Sequence, residues 1–204
     1  SSILQFALQC PPFHAANTLV WSCFWGYAHI CNAQITDERV NKKRILLTGA
    51  TGFIGRQILR ALKENGSYVR AVSRQLSPAL PADDWVQTPD MFAETAKWWA
   101  EPLDGIDTVI HAAWYVEPGH YLLSPKNKDC LKGSLKLAEG FLASGASHFT
   151  GLGTCFEYDL SRGTLPIDTP LRPASPYAKA KVELYHALSQ VLPHSGKTFG
   201  WCRV

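Results

Sequence analysis

Charge is missing from the first stretch of this chain: from Ser1 through Thr36 there is no Asp, Glu, Lys or Arg, and Asp37 is the first charged residue. The arm is apolar in places, most of all from Leu19 to Ala33, but Pro11-Pro12, Asn17, Ser22, His29 and Asn32 interrupt it. It falls short of the ~18 to 20 clean apolar residues that a membrane-spanning helix needs. Nor does a basic segment precede it as in a signal peptide. A membrane partner is therefore not expected. Residues 1–40 read as an irregular N-terminal extension, uncharged through Thr36, to which no function is assigned, either an upstream addition or a mis-set start.

Other absences narrow the function. There is no Cys-x-x-Cys pair among the six cysteines and no His-x-x-x-His among the seven histidines, so neither a structural zinc site nor a metal-dependent hydrolase is expected. With no secretion signal, the cysteines read as free thiols of a reducing compartment, which places the protein in the cytoplasm. The net charge is only +3, and the one dense basic cluster is Lys42-Lys43-Arg44. That is too little for a nucleic-acid phosphate backbone. No low-complexity tract is present, and 46% hydrophobic residues exclude a disordered chain. The 204 residues suffice for one sizeable core but are short for a two-domain enzyme.

What is present begins at Arg44. Short apolar runs alternate with longer amphipathic segments, the signature of βαβ units and a parallel sheet. Strands are expected near residues 44–48, 68–72, 85–87, 108–111, 148–151 and 198–204. Ile54, Ile58 and Leu62 recur at helical spacing. Leu131, Leu135, Leu137, Ala138, Phe141 and Leu142 form a second stripe, and Leu184, Leu188 and Leu192 a third. The third helix has a start signal in Ser175 followed by Pro176.

The first strand runs into Gly49-Ala50-Thr51-Gly52-Phe53-Ile54-Gly55, a G-x-x-G-x-x-G turn opening a helix. Glycine here lets the chain turn tightly and approach a pyrophosphate, while the helix N-terminus supplies amides and partial positive charge. The expected fold is thus a Rossmann-type doubly wound α/β sheet in three αβα layers, and the expected ligand a dinucleotide. After the second strand, an NAD enzyme would offer an acid to the ribose. This chain has Ser73 and Arg74, which suit a 2′-phosphate, so NADP is preferred over NAD.

Further on, Tyr177 and Lys181 stand at i and i+4 on one helix face. A phenol near pKa ~10 becomes a usable proton shuttle if an ammonium and a cationic nicotinamide stabilise its phenolate. Thr154 leaves the fifth strand at the carboxyl edge of the sheet, where its hydroxyl can hold a substrate oxygen. His111, His120 and Cys130 are read as structural, and Glu157 and Asp159 as solvated loop carboxylates.

These motifs resemble the extended short-chain dehydrogenase/reductase family, and within it the sugar-nucleotide epimerase/dehydratase group. The resemblance runs from residue 43 to residue 204. It rests on Thr48–Gly55, Val109-Ile110-His111-Ala112-Ala113, Gly153-Thr154-Cys155-Phe156-Glu157-Tyr158 and Ser175–Lys181. It implies that Tyr177 is the general acid/base, that Lys181 holds the cofactor ribose and lowers the tyrosine pKa, and that Thr154 replaces the family's catalytic Ser or Thr. It further implies that Gly49, Thr51, Gly52, Phe53, Ile54, Gly55, Ala112 and Ala113 line the cofactor, that Asp90 meets the adenine amino group, and that the protein forms a homodimer.

Three departures shape the reading. Thr154 is followed by Cys155-Phe156 and not by the Asp-Glu pair of the 4,6-dehydratases, which disfavours elimination of water. Cys130 stands where many relatives carry asparagine. The sequence stops at the sixth expected strand, so residues 43–204 are read as an NAD(P)-binding domain whose carboxy-terminal substrate domain is absent. The resemblance is nearest to sugar-nucleotide 4-ketoreductases, with 4-epimerases close behind, and implies a nucleotide-sugar substrate. A non-catalytic dinucleotide-binding module remains the reading from another class.

Overall fold

Arg44–Thr48, Arg-Ile-Leu-Leu-Thr, forms β1, and its four last residues are buried. Such a run has no polar face to show water, so it must lie inside a sheet covered on both sides. The computed structural model describes residues 42–77 and 79–204. The N-terminal extension, with Cys10, Cys23 and Cys31, lies outside the described residues. Among the described residues no helix is long and apolar enough to cross a membrane.

The elements follow as β1, α1 (Phe53–Glu64), β2 (Tyr68–Ser73), β3 (Asp84–Gln87), β4 (Thr108–His111), α2 (Lys126–Ala143), β5 (His148–Gly153), α3 (Pro176–His194) and β6 (Thr198–Arg203). All six strands pair in parallel in the order β3-β2-β1-β4-β5-β6. This is the doubly wound arrangement, whose order reverses between β1 and β4 and opens a crevice at the carboxyl ends of those two strands. The glycine turn leaves β1 at that crevice.

The helices form where their apolar stripes demand it. In α1, Ile58, Leu59 and Leu62 pack with Ile45, Leu47, Val69, Ala71 and Ile110 on one face of the sheet. On the other face Leu131, Leu137 and Phe141 of α2 join Leu184, Leu188 and Leu192 of α3, over Leu46, Val109 and Phe149. Three layers result, as the alternation of runs predicts. Ser175 caps α3 by accepting from the Ala178 amide at 3.2 Å, with Pro176 in the first turn.

The connection from β3 to β4 carries only a short 3-10 turn, Trp98–Ala100, in which Trp99 is fully buried. Two glycines let α2 lie close upon this connection. A Cβ on Gly133 would fall 2.3 Å from Phe92 Cα, and one on Gly140 would fall 2.6 Å from Trp99 Cβ. The large indole is thus buried beneath α2.

Candidate active site

The glycine turn is built by close backbone approach. Gly49 adopts φ +75°, and a Cβ there would lie 2.7 Å from Ala113 N and 2.9 Å from the Ala112 carbonyl carbon. Only glycine takes this conformation without strain and lets the end of β1 rest on the Ala112-Ala113 segment leaving β4. The missing side chain of Gly55 is stricter still, since its Cβ would approach Gly49 O to 1.9 Å. Gly52 is the N-cap of α1 and has no side chain to satisfy the first helical amides. Those amides, with the helix dipole behind them, suit an anion. The tight turn that Gly49 and Gly55 permit and the uncapped helix start together fit a dinucleotide pyrophosphate. At the same turn the Thr51 carbonyl accepts from Arg56 Nε at 2.9 Å, Ile54 packs into the α1 face, and Phe53 is 82% exposed.

Ser73 ends β2 and pairs in register with Gln87 at the end of β3. Its hydroxyl donates to the Gln75 carbonyl at 2.5 Å. Arg74 is exposed, and its backbone carbonyl accepts from Gln87 Nε2 at 3.2 Å. Asp90, just past β3, closes its own turn by accepting from the Phe92 amide at 3.0 Å, and is exposed. All three stand at the carboxyl ends of β2 and β3, the edge that carries the glycine turn.

Thr154, Tyr177 and Lys181 are brought together, all three buried, where β5 ends against the first turns of α3. Thr154 stands near enough to Tyr177 for its hydroxyl to draw the phenol pKa down. The Tyr177 ring is enclosed edge-on by Tyr121 at 5.0 Å and Trp114 at 6.3 Å between centroids. One turn further along, Lys181 Nζ donates to the Leu152 carbonyl at 2.7 Å and lies 3.9 Å from the centre of the Trp114 ring. Lys181 is 3% exposed.

Burial sets the electrostatics of this group. It pushes the Lys181 ammonium down to about 7, against the Glu157 carboxylate and the Cys130 thiol, which pull upward. It pushes the Tyr177 phenol up to about 12, with the Thr154 hydroxyl acting the other way. Loss of water around the phenol dominates, and the ammonium is engaged with a carbonyl and an indole.

His111 is buried at the end of β4, with Nδ1 2.8 Å from Thr48 Oγ1 and Nε2 2.8 Å from Ser134 Oγ. Ser134 gives its own proton to the Cys130 carbonyl at 2.7 Å, so it accepts from His111 Nε2–H. Thr48 then donates to Nδ1 and accepts from the Ala113 amide at 3.2 Å. Burial holds this imidazole neutral, down to about 3. Cys130 is a small buried residue whose thiol is pushed up to about 11, again by burial first. His120 is exposed in its turn. Among the described residues no cluster of His, Cys, Asp and Glu could hold a metal ion.

One expectation is overturned. Glu157 is no solvated loop carboxylate: it is 0% exposed, with Oε1 accepting from the Thr154 amide at 2.8 Å and Oε2 from Arg203 Nε at 2.6 Å. The reason is tertiary, since β6 lies over the turn that follows β5. Asp159 accepts from the Ser161 amide and hydroxyl and faces Arg172 at 3.4 Å, which makes it a turn-forming residue. Two further residues of the site were not singled out in the sequence. Trp114 covers Lys181, and buried Asn127 accepts from Trp114 Nε1 at 2.9 Å while donating to the Tyr121 and Ser124 carbonyls. Sequence carried only a weak signal for Trp114, an aromatic residue directly after His-Ala-Ala, and none for Asn127.

Comparison with known proteins agrees with this fold. Residues 45–196 match the family described as NAD dependent epimerase/dehydratase. A stretch of 76 residues, 36% of the chain, is 37% identical to part of peramine synthetase ppzA of Metarhizium majus, covering 3% of that protein. A stretch of the same length is 36% identical to 3 beta-hydroxysteroid dehydrogenase/Delta 5-->4-isomerase of Mycobacterium tuberculosis, covering 20% of it. The crystal structure of UDP-glucose 4-epimerase from Brucella ovis in complex with NAD superposes with a TM-score of 0.66 at 18% identity. That match covers 79% of this chain and 51% of the epimerase, and it establishes a shared fold. The chain thus spans about half the length of that solved structure and a fifth or less of the curated relatives.

Proposed function

Because the chain belongs to the NAD dependent epimerase/dehydratase family over residues 45–196, we propose that it is an oxidoreductase of nucleotide-activated sugars. It works with NADP in preference to NAD and acts at the sugar C4. The observation that carries this reading is the meeting of Thr154, Tyr177 and Lys181 at the carboxyl end of β5, on the sheet edge that also carries the glycine turn. The exposed guanidinium of Arg74 beside Ser73 supports the preference for a 2′-phosphate.

When bound, the nicotinamide supplies the hydride chemistry. Gly49, Thr51, Gly52, Phe53, Ile54 and Gly55 would hold the pyrophosphate, Ala112 and Ala113 would line its site, and Asp90 would receive the adenine amino group. Thr154 orients the sugar oxygen through its hydroxyl. Tyr177 is protonated at neutral pH, being pushed up to about 12 by burial. It therefore starts as the acid and would give its phenolic proton to a C4 oxygen when the sugar is reduced. Lys181, which donates to the Leu152 carbonyl and lies against the Trp114 ring, would hold the ribose.

Two measurements test the reading. Fluorescence titration with NADPH and NADH should show tighter binding of NADPH, and equal binding of the two refutes the preference. Tyr177→Phe should lower turnover of a nucleotide sugar by about 10²- to 10⁴-fold with cofactor affinity within about twofold. An equally active variant removes Tyr177 from the chemistry.

A further inference from the structure

The turn that carries Thr154 is closed by a capping box. Thr154 Oγ1 accepts from the Phe156 amide at 3.3 Å, and Glu157 Oε1 accepts from the Thr154 amide at 2.8 Å. Helix-capping glutamates ordinarily keep one side in water, and Glu157 keeps none. Arg203 Nε donates to Oε2 at 2.6 Å, and the Trp201 indole N–H lies 3.2 Å from both carboxylate oxygens. The Glu157 carbonyl also accepts from the Arg172 amide at 2.9 Å, tying the turn to the loop before α3.

Room for this arrangement exists because two residues of β5 have no side chain. A Cβ on Gly153 would fall 2.4 Å from Glu157 Oε1 and 2.2 Å from Trp201 Nε1, and one on Gly151 would fall 2.3 Å from the Trp201 ring. The register sets Gly151 beside Trp201 and Gly153 beside Arg203. A buried ion pair gains little over well-packed apolar residues, because both charges leave water. Stability alone is therefore a poor reason for a charged group here. What the carboxylate does geometrically is fix the backbone of the residue whose hydroxyl meets Tyr177.

We propose that Glu157 is a positioning residue for Thr154, clamped by Trp201 and Arg203 of β6, so that β6 sets where the Thr154 hydroxyl stands relative to Tyr177. This rests on the reading of Thr154 as the group that orients the sugar oxygen. Glu157 itself touches neither cofactor nor substrate. It acts through one amide hydrogen bond to a charged acceptor, stronger than its neutral counterpart.

The test uses the full chain with Glu157→Gln, and with Glu157→Gln/Arg203→Met in case the single variant leaves Arg203 unpaired and fails to fold. Amide hydrogen exchange at Thr154, read by NMR, should accelerate about tenfold or more in the folded variant, while NADPH affinity stays within about twofold. Turnover of a nucleotide sugar should fall about tenfold in kcat with little change in KM, because an orienting contact is lost and not a binding one. Unchanged Thr154 exchange in a folded variant overturns the proposal, whatever the turnover. Unchanged kcat despite faster exchange overturns it too, leaving Glu157 a purely structural residue. If the wild-type chain turns over no nucleotide sugar, the functional reading fails, and the exchange result still decides whether Glu157 clamps Thr154.

Discussion

Lys181 gives this fold an unusual dependence on pH. Its ammonium is pushed from 10.5 down to about 7, chiefly by burial. In the unfolded chain the amine keeps its ordinary value. Between pH 7 and 10.5 the unfolded chain therefore holds a proton that the folded chain has released, and stability rises with pH. Below pH 7 both states hold it, and the folded state bears the full cost of a buried cation. From pH 7, where the folded amine has released half its proton, to pH 9, at ~1.4 kcal/mol per unit, the gain is about 2 kcal/mol. Other shifted groups leave that window clear. His111 and His148, both lowered, act below the ordinary imidazole value of 6.5. Cys130 and Tyr177, both raised, reduce stability only above 9 and 10 respectively. Urea unfolding followed by tryptophan fluorescence at pH 7, 8 and 9 should show the midpoint climbing in the wild type. Lys181→Met, which has no charge to bury, should lose most of that climb. Parallel curves for the two proteins, or a wild-type midpoint that falls with pH, would refute the burial argument.

Two substitutions probe the cofactor half of the site. Gly55→Ala places a methyl group against Gly49 O and should cost at least about 1 to 3 kcal/mol in urea unfolding, with NADPH titration showing weakened binding. Arg74→Ala should weaken NADPH about tenfold and leave NADH unchanged, since only the 2′-phosphate meets the guanidinium. Equal losses for both cofactors would assign Arg74 to folding instead.

The sheet was legible in the sequence because its signals are local. Every strand from Arg44 onward could be read from a short apolar run, and α3 from Ser175-Pro176. Gly49 and Gly55 were legible as well, for only a turn of close backbone contacts needs glycine at both. Side-chain environments created by strands distant in sequence were not legible. Glu157 looked solvated because nothing within a few residues covers it, and Trp201 and Arg203, which do, lie 44 and 46 positions away. The upward pull of burial on Tyr177 was not legible for the same reason. A lysine one turn away is visible in sequence, whereas enclosure by Tyr121 and Trp114 depends on how a loop folds back over α3. Asn127 gave no signal because a polar residue at a helix start is ordinarily solvated.

The interlock between β5 and β6 bears on how this chain can change over generations. Neither Gly151 nor Gly153 can acquire a methyl group while the indole of Trp201 occupies their side of the sheet. Conversely, a smaller residue at 201 leaves an indole-sized void above two glycines, and Glu157 loses a donor. Each single step from this arrangement passes through a damaged intermediate. The three positions should therefore be inherited as a block, and a descendant that alters one should carry a matched change in another. A lineage holding this block keeps its sixth strand committed to the fifth, while exposed positions such as Arg74 stay free to drift and retune which cofactor is held.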